Sequence, residues 1–117
     1  MENEMFLHLL IGPLLLLFSI IYYYFPPKNI NALYGHRTNM SMKNQDTWNE
    51  ANKRSTKSMF WSSTYTCIIQ ITGIILGFNN EKLILYSTIF LVASLVIGVI
   101  KVENQLKNIF DKDGNRI

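Results

Sequence analysis

The sequence predicts an all-α membrane protein with three transmembrane helices. Of its 117 residues, 49% are hydrophobic and only 16% are charged, against roughly 25% charged in soluble domains. A hydrocarbon core of about 30 Å requires about 20 apolar residues in a helix. Three segments reach that length, at about 5–25, 59–78 and 83–102. A single domain of this size has too little polar chain to cover three such helices in water.

The first segment is interpreted as a retained helix rather than a signal peptide. No Lys or Arg precedes it, and tyrosines stand where a cleavage site would need small residues. Pro13 follows Gly12 within it, and proline removes one helical hydrogen bond. A bend is therefore predicted at this point.

The basic residues predict the orientation in the membrane. The loop 26–58 carries six Lys or Arg and the C-terminal end carries four, whereas the turn 79–82 carries one. Lys and Arg accumulate on the cytoplasmic side of membrane proteins. The predicted location is therefore the cell membrane, as a multi-pass protein, with the N-terminus outside and with the loop 26–58 and the tail 103–117 in the cytoplasm.

The second segment contains polar side chains that lipid does not solvate. Gln70 falls near its middle, where it is predicted to face protein or a water pocket. It is either a contact between helices or part of a polar path or ligand site. Small residues also pair at a spacing of four, Gly73 with Gly77 and Ser94 with Gly98. Such pairs let helices approach closely, either within one chain or in a homo-oligomer.

The second half of the loop predicts a juxtamembrane helix. Asn44 is a good N-cap, so a helix from about 45 can run through 58 into the second span. Alternatively, Thr47 and Glu50 form a capping box and the helix begins three residues later. One face of this helix would carry Trp48, Ala51, Asn52, Ser55 and Met59. The bilayer itself is the first predicted partner, with anionic headgroups at Lys53, Arg54 and Lys57.

The loop resembles the signature of the SdpI family. Its matching residues are Asn31, Tyr34-Gly35-His36-Arg37-Thr38, Ser41, Asn44, Trp48 and Ala51-Asn52. With the flanking helices the resemblance covers about 12–102 and corresponds to the C-terminal half of longer members. It implies a small multi-pass bacterial membrane protein. The namesake of the family gives a producing cell immunity to its own secreted peptide toxin and helps recruit a repressor to the membrane. The candidate binding residues are then Asn31, Gly35, Arg37, Thr38, Ser41, Asn44, Trp48 and Asn52.

Arg37 has two interpretations. A guanidinium carries five donors suited to a carboxylate or phosphate, so Arg37 and Thr38 are predicted to bind a lipid phosphate or an acidic group of a partner. Alternatively, Arg37 pairs with Asp46 or Glu50 and holds the loop on its helix. Trp48 is predicted to anchor the loop or to pack at the membrane interface. Asn44 and Asn52 are predicted to bind backbone, Asn44 as the cap of the helix and Asn52 as a bracket for the loop.

Enzymatic chemistry finds no support in the sequence. One cysteine, Cys67, and two histidines, His8 and His36, predict neither a disulfide nor a metal centre. We find no glycine-rich phosphate loop and no Ser–His–acid set. The net charge of +3 is too small to indicate nucleic acid as a partner. The prediction is a protein that is not an enzyme and has no cofactor.

Three functions remain open. The first is an immunity protein that protects the envelope against a secreted peptide toxin by non-enzymatic binding. The second is a membrane anchor that recruits a cytoplasmic regulator such as a repressor. The third is a small channel or transporter, in which Gln70 would line the path.

Overall fold

The computed structural model describes residues 7, 8 and 10–117, and in this part of the chain the regular structure is helical. Three helices follow one another: α1 (Pro13–Tyr24), α2 (Gln45–Ile75) and α3 (Asn80–Ile109). α2 is the central helix and packs against both α1 and α3. The bundle is elongated, measuring 52 × 23 × 18 Å.

α1 covers part of the first predicted span. Residues 5, 6 and 9 of that span lie outside the described residues, whereas Leu7, His8, Leu10 and Ile11 are helical. Gly12 interrupts the helix, and Pro13 begins α1, as suits a residue whose missing N–H would have no helical partner at that position. α1 ends at Tyr24, just before Pro26-Pro27.

α2 confirms that the juxtamembrane helix continues into the second apolar segment. Asn44 is its N-cap and accepts a hydrogen bond from Thr47 N, while the Thr47 hydroxyl accepts one from Asn44 N. The alternative start at Thr47 is therefore wrong. The helix ends at Ile75, where Gly77 takes φ +77° and Phe78 N donates to Gly73 O. This is the hydrogen-bonding pattern of a Schellman motif.

α3 is longer than its apolar segment at both ends. It begins at Asn80 rather than Leu83, because the Asn79 side chain caps it by accepting from Lys82 N. It runs to Ile109 rather than Val102. The apolar segment shows only which part of α3 is suited to lipid. The helix continues beyond it because Val102 and Leu106 lie on the same face and pack against Ala51.

Only α3, among the helices in the described part of the chain, is long and apolar enough to cross a membrane. α1 is apolar but shorter, with 12 residues. The apolar half of α2 is diluted by the hydroxyl residues between Ser62 and Thr72. The prediction of an all-helical protein is therefore confirmed, together with one membrane-crossing candidate.

In the apolar part of the bundle, small polar side chains are buried between the helices and many large apolar side chains are exposed. The buried positions between the helices include Ser19, Ser62, Ser63, Thr66, Gln70 and Ser87. The outer faces carry more than half-exposed Phe18, Ile68, Ile71, Val96 and Ile97. Soluble proteins show the reverse arrangement. Several buried hydroxyls donate to their own helix, as Ser63 does to Met59 O at 2.8 Å and Thr66 to Ser62 O at 2.8 Å.

Small residues bring the helices together within the chain. A Cβ on Gly73 would collide with Leu83, and one on Gly98 would collide with Ser58 Oγ. Gly77 does not take part in this packing, because it has no neighbour on its Cβ side and serves the end of α2.

The C-terminal tail is folded back onto α2. After α3 the chain turns, and Phe110 pairs with Arg116 in an isolated antiparallel bridge. Gly114 O accepts a hydrogen bond of 2.7 Å from Asn44 Nδ2, next to the start of α2. Residues 103–117, for which the sequence predicts only a cytoplasmic location, thus form the end of α3 and a clasp on α2.

Candidate functional site

The site is built on the motif loop, residues 26–44, which connects α1 to α2. Asn31 forms a turn within it, because Asn31 Oδ1 accepts hydrogen bonds from Leu33 N at 2.9 Å and from Tyr34 N at 2.7 Å. An asparagine side chain that bonds backbone two or three residues ahead forms a turn of its own. Tyr34 then donates from its hydroxyl to Phe25 O at 3.0 Å, which ties this turn to the end of α1.

Asn52 is the centre on which the motif loop is assembled. It lies buried on α2, and its Oδ1 accepts from His36 N at 2.7 Å and from the Tyr22 hydroxyl. Its Nδ2 donates to Trp48 O at 2.9 Å. One side chain therefore joins α1, the loop and α2, and the predicted loop contact of Asn52 is confirmed.

Gly35 passes close over this centre. Its φ is +113°, and a Cβ would lie 2.7 Å from Asn52 Oδ1 and 2.8 Å from Pro27 Cγ. Both the backbone conformation and the space exclude a larger residue. Next to it, Trp48 has no exposed surface, and its Nε1 donates to Pro27 O at 2.8 Å. The predicted anchoring of the loop by Trp48 is confirmed.

Ser41 closes the second half of the loop. Its hydroxyl donates to His36 O at 2.8 Å and accepts from Thr38 N at 2.8 Å. Ser41 O in turn accepts from the Thr47 hydroxyl at 3.1 Å. Residues 36–41 therefore form a tight turn that is fixed to the first turn of α2.

Glu103 on α3 completes the site and was not singled out by the sequence. Its Oε1 lies 2.8 Å from His36 Nε2 and accepts from the Thr38 hydroxyl at 2.6 Å. His36 and Thr38 precede it by 67 and 65 residues. The one available signal was an acidic residue directly after an apolar span, which is expensive unless it is paired.

Arg37 is held by its backbone neighbours and not by an acid. Its Nε donates to Asn31 O at 3.0 Å. The carboxylates of Asp46 and Glu50 instead bind Arg116, so the interpretation that Arg37 pairs with either of them is wrong. Within the described residues no carboxylate lies in ion-pair range of Arg37, and its side chain is exposed.

An open cleft of about 580 Å³ lies between the three helices, and Arg37 is one of the loop residues that line it. We call it the Arg37 cleft. Thr38 and His36 lie with Arg37 at the loop end. Away from the loop, most of the lining is apolar and consists of Leu15, Phe18, Ile21, Met59, Leu95 and Val99, and Ser55 and Ser58 add two hydroxyls. A fixed cation thus stands at one end of an apolar surface.

The remaining predicted residues lie elsewhere. Gln70 is only 3% exposed and packs against Gly12, and its Nε2 has no hydrogen-bond partner in the part of the chain that the structure describes. Lys53 and Lys57 are exposed on α2, while Arg54 is half-buried and lies 3.4 Å from Glu50. These cations lie on another side of α2, and none of them lines the Arg37 cleft.

Oppositely charged groups of the tail and of α2 are in direct contact, because Arg116 binds Asp46 and Glu50. The hydrogen bond from Arg116 holds the pKa of Glu50 below its ordinary value, assisted by the charges of Arg116 and Arg54. The same contacts with Asp46 and Glu50 raise the pKa of Arg116. In the motif loop, partial burial raises the pKa of Tyr34. The described residues hold no group of three His, Cys, Asp or Glu side chains that could bind a metal ion.

Fold and site together define a helical bundle with largely apolar outer faces and a hydrogen-bonded polar loop at one end. The comparisons agree with the resemblance seen in the sequence: the model of the SdpI/YfhL protein family matches residues 28–102. The chain is also 40% identical over 96 residues to the uncharacterized protein YfhL of Bacillus subtilis (strain 168), and the alignment covers 82% of each chain. The chain belongs to the SdpI/YfhL family. No solved structure matches it.

Proposed function

We propose that this chain is a three-span membrane protein that protects the cell envelope against a secreted peptide toxin by binding the peptide, without an enzymatic step. α1, the apolar half of α2 and α3 cross the bilayer. The motif loop and the C-terminal tail lie in the cytoplasm, and the N-terminus lies outside. Membership of the SdpI/YfhL family supports an SdpI-type protein.

The distribution of polarity supports the membrane location of all three helices. Serine, threonine and glutamine side chains are buried between helices whose outer faces are apolar. In water this arrangement would expose a large apolar surface, which monomeric soluble proteins avoid. In lipid the same arrangement satisfies the polar groups internally, as a bilayer requires.

The observation that carries the binding proposal is the exposed guanidinium of Arg37 at the end of an apolar cleft. Arginine binds a carboxylate through two parallel hydrogen bonds, which fixes orientation as well as charge. The walls formed by Phe18, Leu95 and Val99 suit an apolar side chain or helix face. A membrane-active peptide that carries a carboxylate next to an apolar stretch matches both features.

The other polar groups of the site, from the loop and from α3, act as scaffold. Ser41, Thr38, His36 and Glu103 are hydrogen-bonded to one another or to backbone. These bonds fix the backbone on both sides of Arg37, and the bond from Arg37 Nε to Asn31 O restrains its side chain. Binding of this kind gains affinity from preorganisation and needs no reacting group.

The test is protection of living cells. A strain that lacks the gene is complemented with the wild-type protein, with Arg37→Ala or with Lys28→Ala, and is exposed to a panel of secreted membrane-active peptides. Lys28 is a matched control, because it is an exposed cation of the same loop that lies outside the Arg37 cleft. Immunoblots of membranes establish equal expression.

We expect the deletion to sensitise the cells to one of these peptides, Lys28→Ala to restore protection and Arg37→Ala to fail. If Arg37→Ala protects as well as the wild type, the Arg37 cleft is not the site that binds the peptide. An unchanged survival of the deletion strain against the whole panel would remove the immunity role itself.

A membrane anchor for a cytoplasmic regulator is the second candidate. The observation that favours it is a set of exposed lysines on the loop and tail, namely Lys28, Lys43, Lys107 and Lys112. Such an anchor would co-purify with a soluble regulator, and replacement of these lysines by glutamine would release it.

A further inference from the structure

A second space lies between α2 and α3, on the other side of their contact. It has a volume of about 590 Å³ and is open to the surface. Ser58 and Gly98 line both this space and the Arg37 cleft, so their close contact forms the wall between the two. We call the second space the basic groove.

The basic groove has cations at one end. Lys53, Arg54 and Lys57 come from α2, and Lys101 comes from α3. Glu50 is the single carboxylate in the lining, and it is bound by Arg116 at 3.0 Å and by Arg54 at 3.4 Å. Among the described residues no carboxylate lies in ion-pair range of the three lysines.

The other end of the basic groove is apolar and aromatic. Along α2, Trp61 and Tyr65 follow Lys57 at steps of four residues, and they are more than half exposed. On α3, which runs antiparallel to α2, Ile97 and Phe90 precede Lys101 and therefore lie nearer the N-terminus of the helix. Both helices therefore change from basic to apolar in the same direction, and the length from Lys53 to Tyr65 is about 18 Å at 1.5 Å per residue.

We infer that the basic groove binds one anionic phospholipid, with its phosphate against Lys57, Lys101 and Arg54 and an acyl chain along Tyr65, Phe90 and Ile97. Basic pockets between transmembrane helices on the cytoplasmic side bind anionic lipid headgroups. The apolar residues of the groove are continuous with the exposed outer faces of α2 and α3, so a lipid can enter sideways from the bilayer. This inference rests on the proposed membrane location but not on the proposed toxin binding.

The test is native mass spectrometry of the full chain in detergent with added lipid. The lipids are phosphatidylglycerol, cardiolipin and phosphatidylcholine, each at the same concentration. The groove variant is Lys57→Gln with Lys101→Gln. The matched control is Lys107→Gln with Lys112→Gln, which removes the same charge at exposed positions outside the groove.

We expect the wild type and the control to retain phosphatidylglycerol or cardiolipin in preference to phosphatidylcholine. The groove variant should retain about 30-fold less anionic lipid, since each of the two basic side chains near a membrane surface strengthens such binding about fivefold. Inorganic phosphate at the lipid concentration should not displace the lipid, because it lacks the acyl chain. Displacement by phosphate would contradict a lipid as the occupant.

A second variant tests the apolar end with all charges retained. Ser94 lines the middle of the groove and is half-buried, so Ser94→Phe should fill the path of the acyl chain and reduce retention of the anionic lipid. Equal retention by wild type, Lys57→Gln with Lys101→Gln and Ser94→Phe would overturn the inference. So would an equal loss in the Lys107→Gln, Lys112→Gln control, which would indicate net charge alone. Neither result would bear on protection of cells by Arg37.

Discussion

Arg116 binds Asp46 through two hydrogen bonds of 2.7 Å, across 70 residues of sequence. The same guanidinium reaches Glu50 Oε1 at 3.0 Å and lies 5.1 Å from the centre of the Phe110 ring. The end of the chain is thereby fixed to the first two turns of α2. Since Trp48 and Asn52, on and next to these turns, hold the motif loop, the tail supports the loop indirectly.

The anchoring residue of the tail is predicted to be Phe110. It is only 2% exposed and packs with Leu106, Ala51 and Val102. Phe110→Ala should lower the free energy of unfolding by about 3–5 kcal/mol, as removal of a buried aromatic ring does. Thermal unfolding in detergent measures this. Ile117→Ala is the control, because Ile117 is exposed at the end of the chain, and equal effects of the two variants would show that the tail is not anchored by Phe110.

The contact of Glu50 with Arg116 predicts a dependence on pH. The pKa of Glu50 is lowered below 4.5 in the folded protein by the Arg116 hydrogen bond. A lowered pKa means that the charged form stabilises the fold above the unfolded value and that this contribution is lost as the pH falls through the folded value. Melting temperatures of wild type and Glu50→Gln should therefore differ most near pH 7 and converge as the pH falls through the lowered pKa of Glu50 in the folded protein. A difference that stays constant over this range would contradict the ion pair.

Asn52 is predicted to be the most sensitive polar position of the site. Asn52→Ala would leave the buried Tyr22 hydroxyl and His36 N–H without their acceptor. Each such group costs about 1–3 kcal/mol, and the loop should lose its fixed conformation. Limited proteolysis in detergent should then cut the motif loop. Asn39→Ala is the control at an exposed position, and proteolysis unchanged from the wild type in Asn52→Ala would refute its central role.

Glu103 is predicted to position Arg37 from a distance. Glu103→Ala removes the acceptor of the Thr38 hydroxyl and the partner of His36 Nε2, on both sides of Arg37 in sequence. Protection against the peptide should fall, although less than in Arg37→Ala, because the guanidinium is still present. Asn104→Ala, at the exposed neighbouring position, should protect fully. Full protection by Glu103→Ala would show that the loop presents Arg37 without help from α3.

The sequence predicted the features that depend on local pattern. Runs of apolar residues located the helices, and the side chain of Asn44 located the start of α2, because a cap acts within four residues. The face with Trp48, Ala51 and Asn52 followed from helical spacing, and all three are buried.

The sequence could not predict contacts between distant segments. From the sequence, either Arg37 or Arg116 could pair with Asp46 and Glu50 on α2. The tertiary fold brings Arg116 and not Arg37 to these carboxylates. The sequence places Glu103 in the tail, because the apolar segment ends at Val102. Hydropathy shows where the lipid-facing part of the helix ends, but α3 itself continues to Ile109. The Arg37 cleft and the basic groove lie on the two sides of the contact between Gly98 and Ser58. These two residues are 40 positions apart in the sequence, so no local pattern predicts their contact.

The most direct test of the whole account is the side of the membrane on which the motif loop lies. Cys67 is the single cysteine, so Cys67→Ala gives a background for Leu33→Cys, at a loop position that is 96% exposed, and for Lys82→Cys in the first turn of α3. Both are treated with a membrane-impermeant maleimide in a bacterial host without an outer membrane. We expect Lys82→Cys to be labelled in intact cells and Leu33→Cys to be labelled only after lysis. Labelling of Leu33→Cys in intact cells would refute the cytoplasmic location of the motif loop.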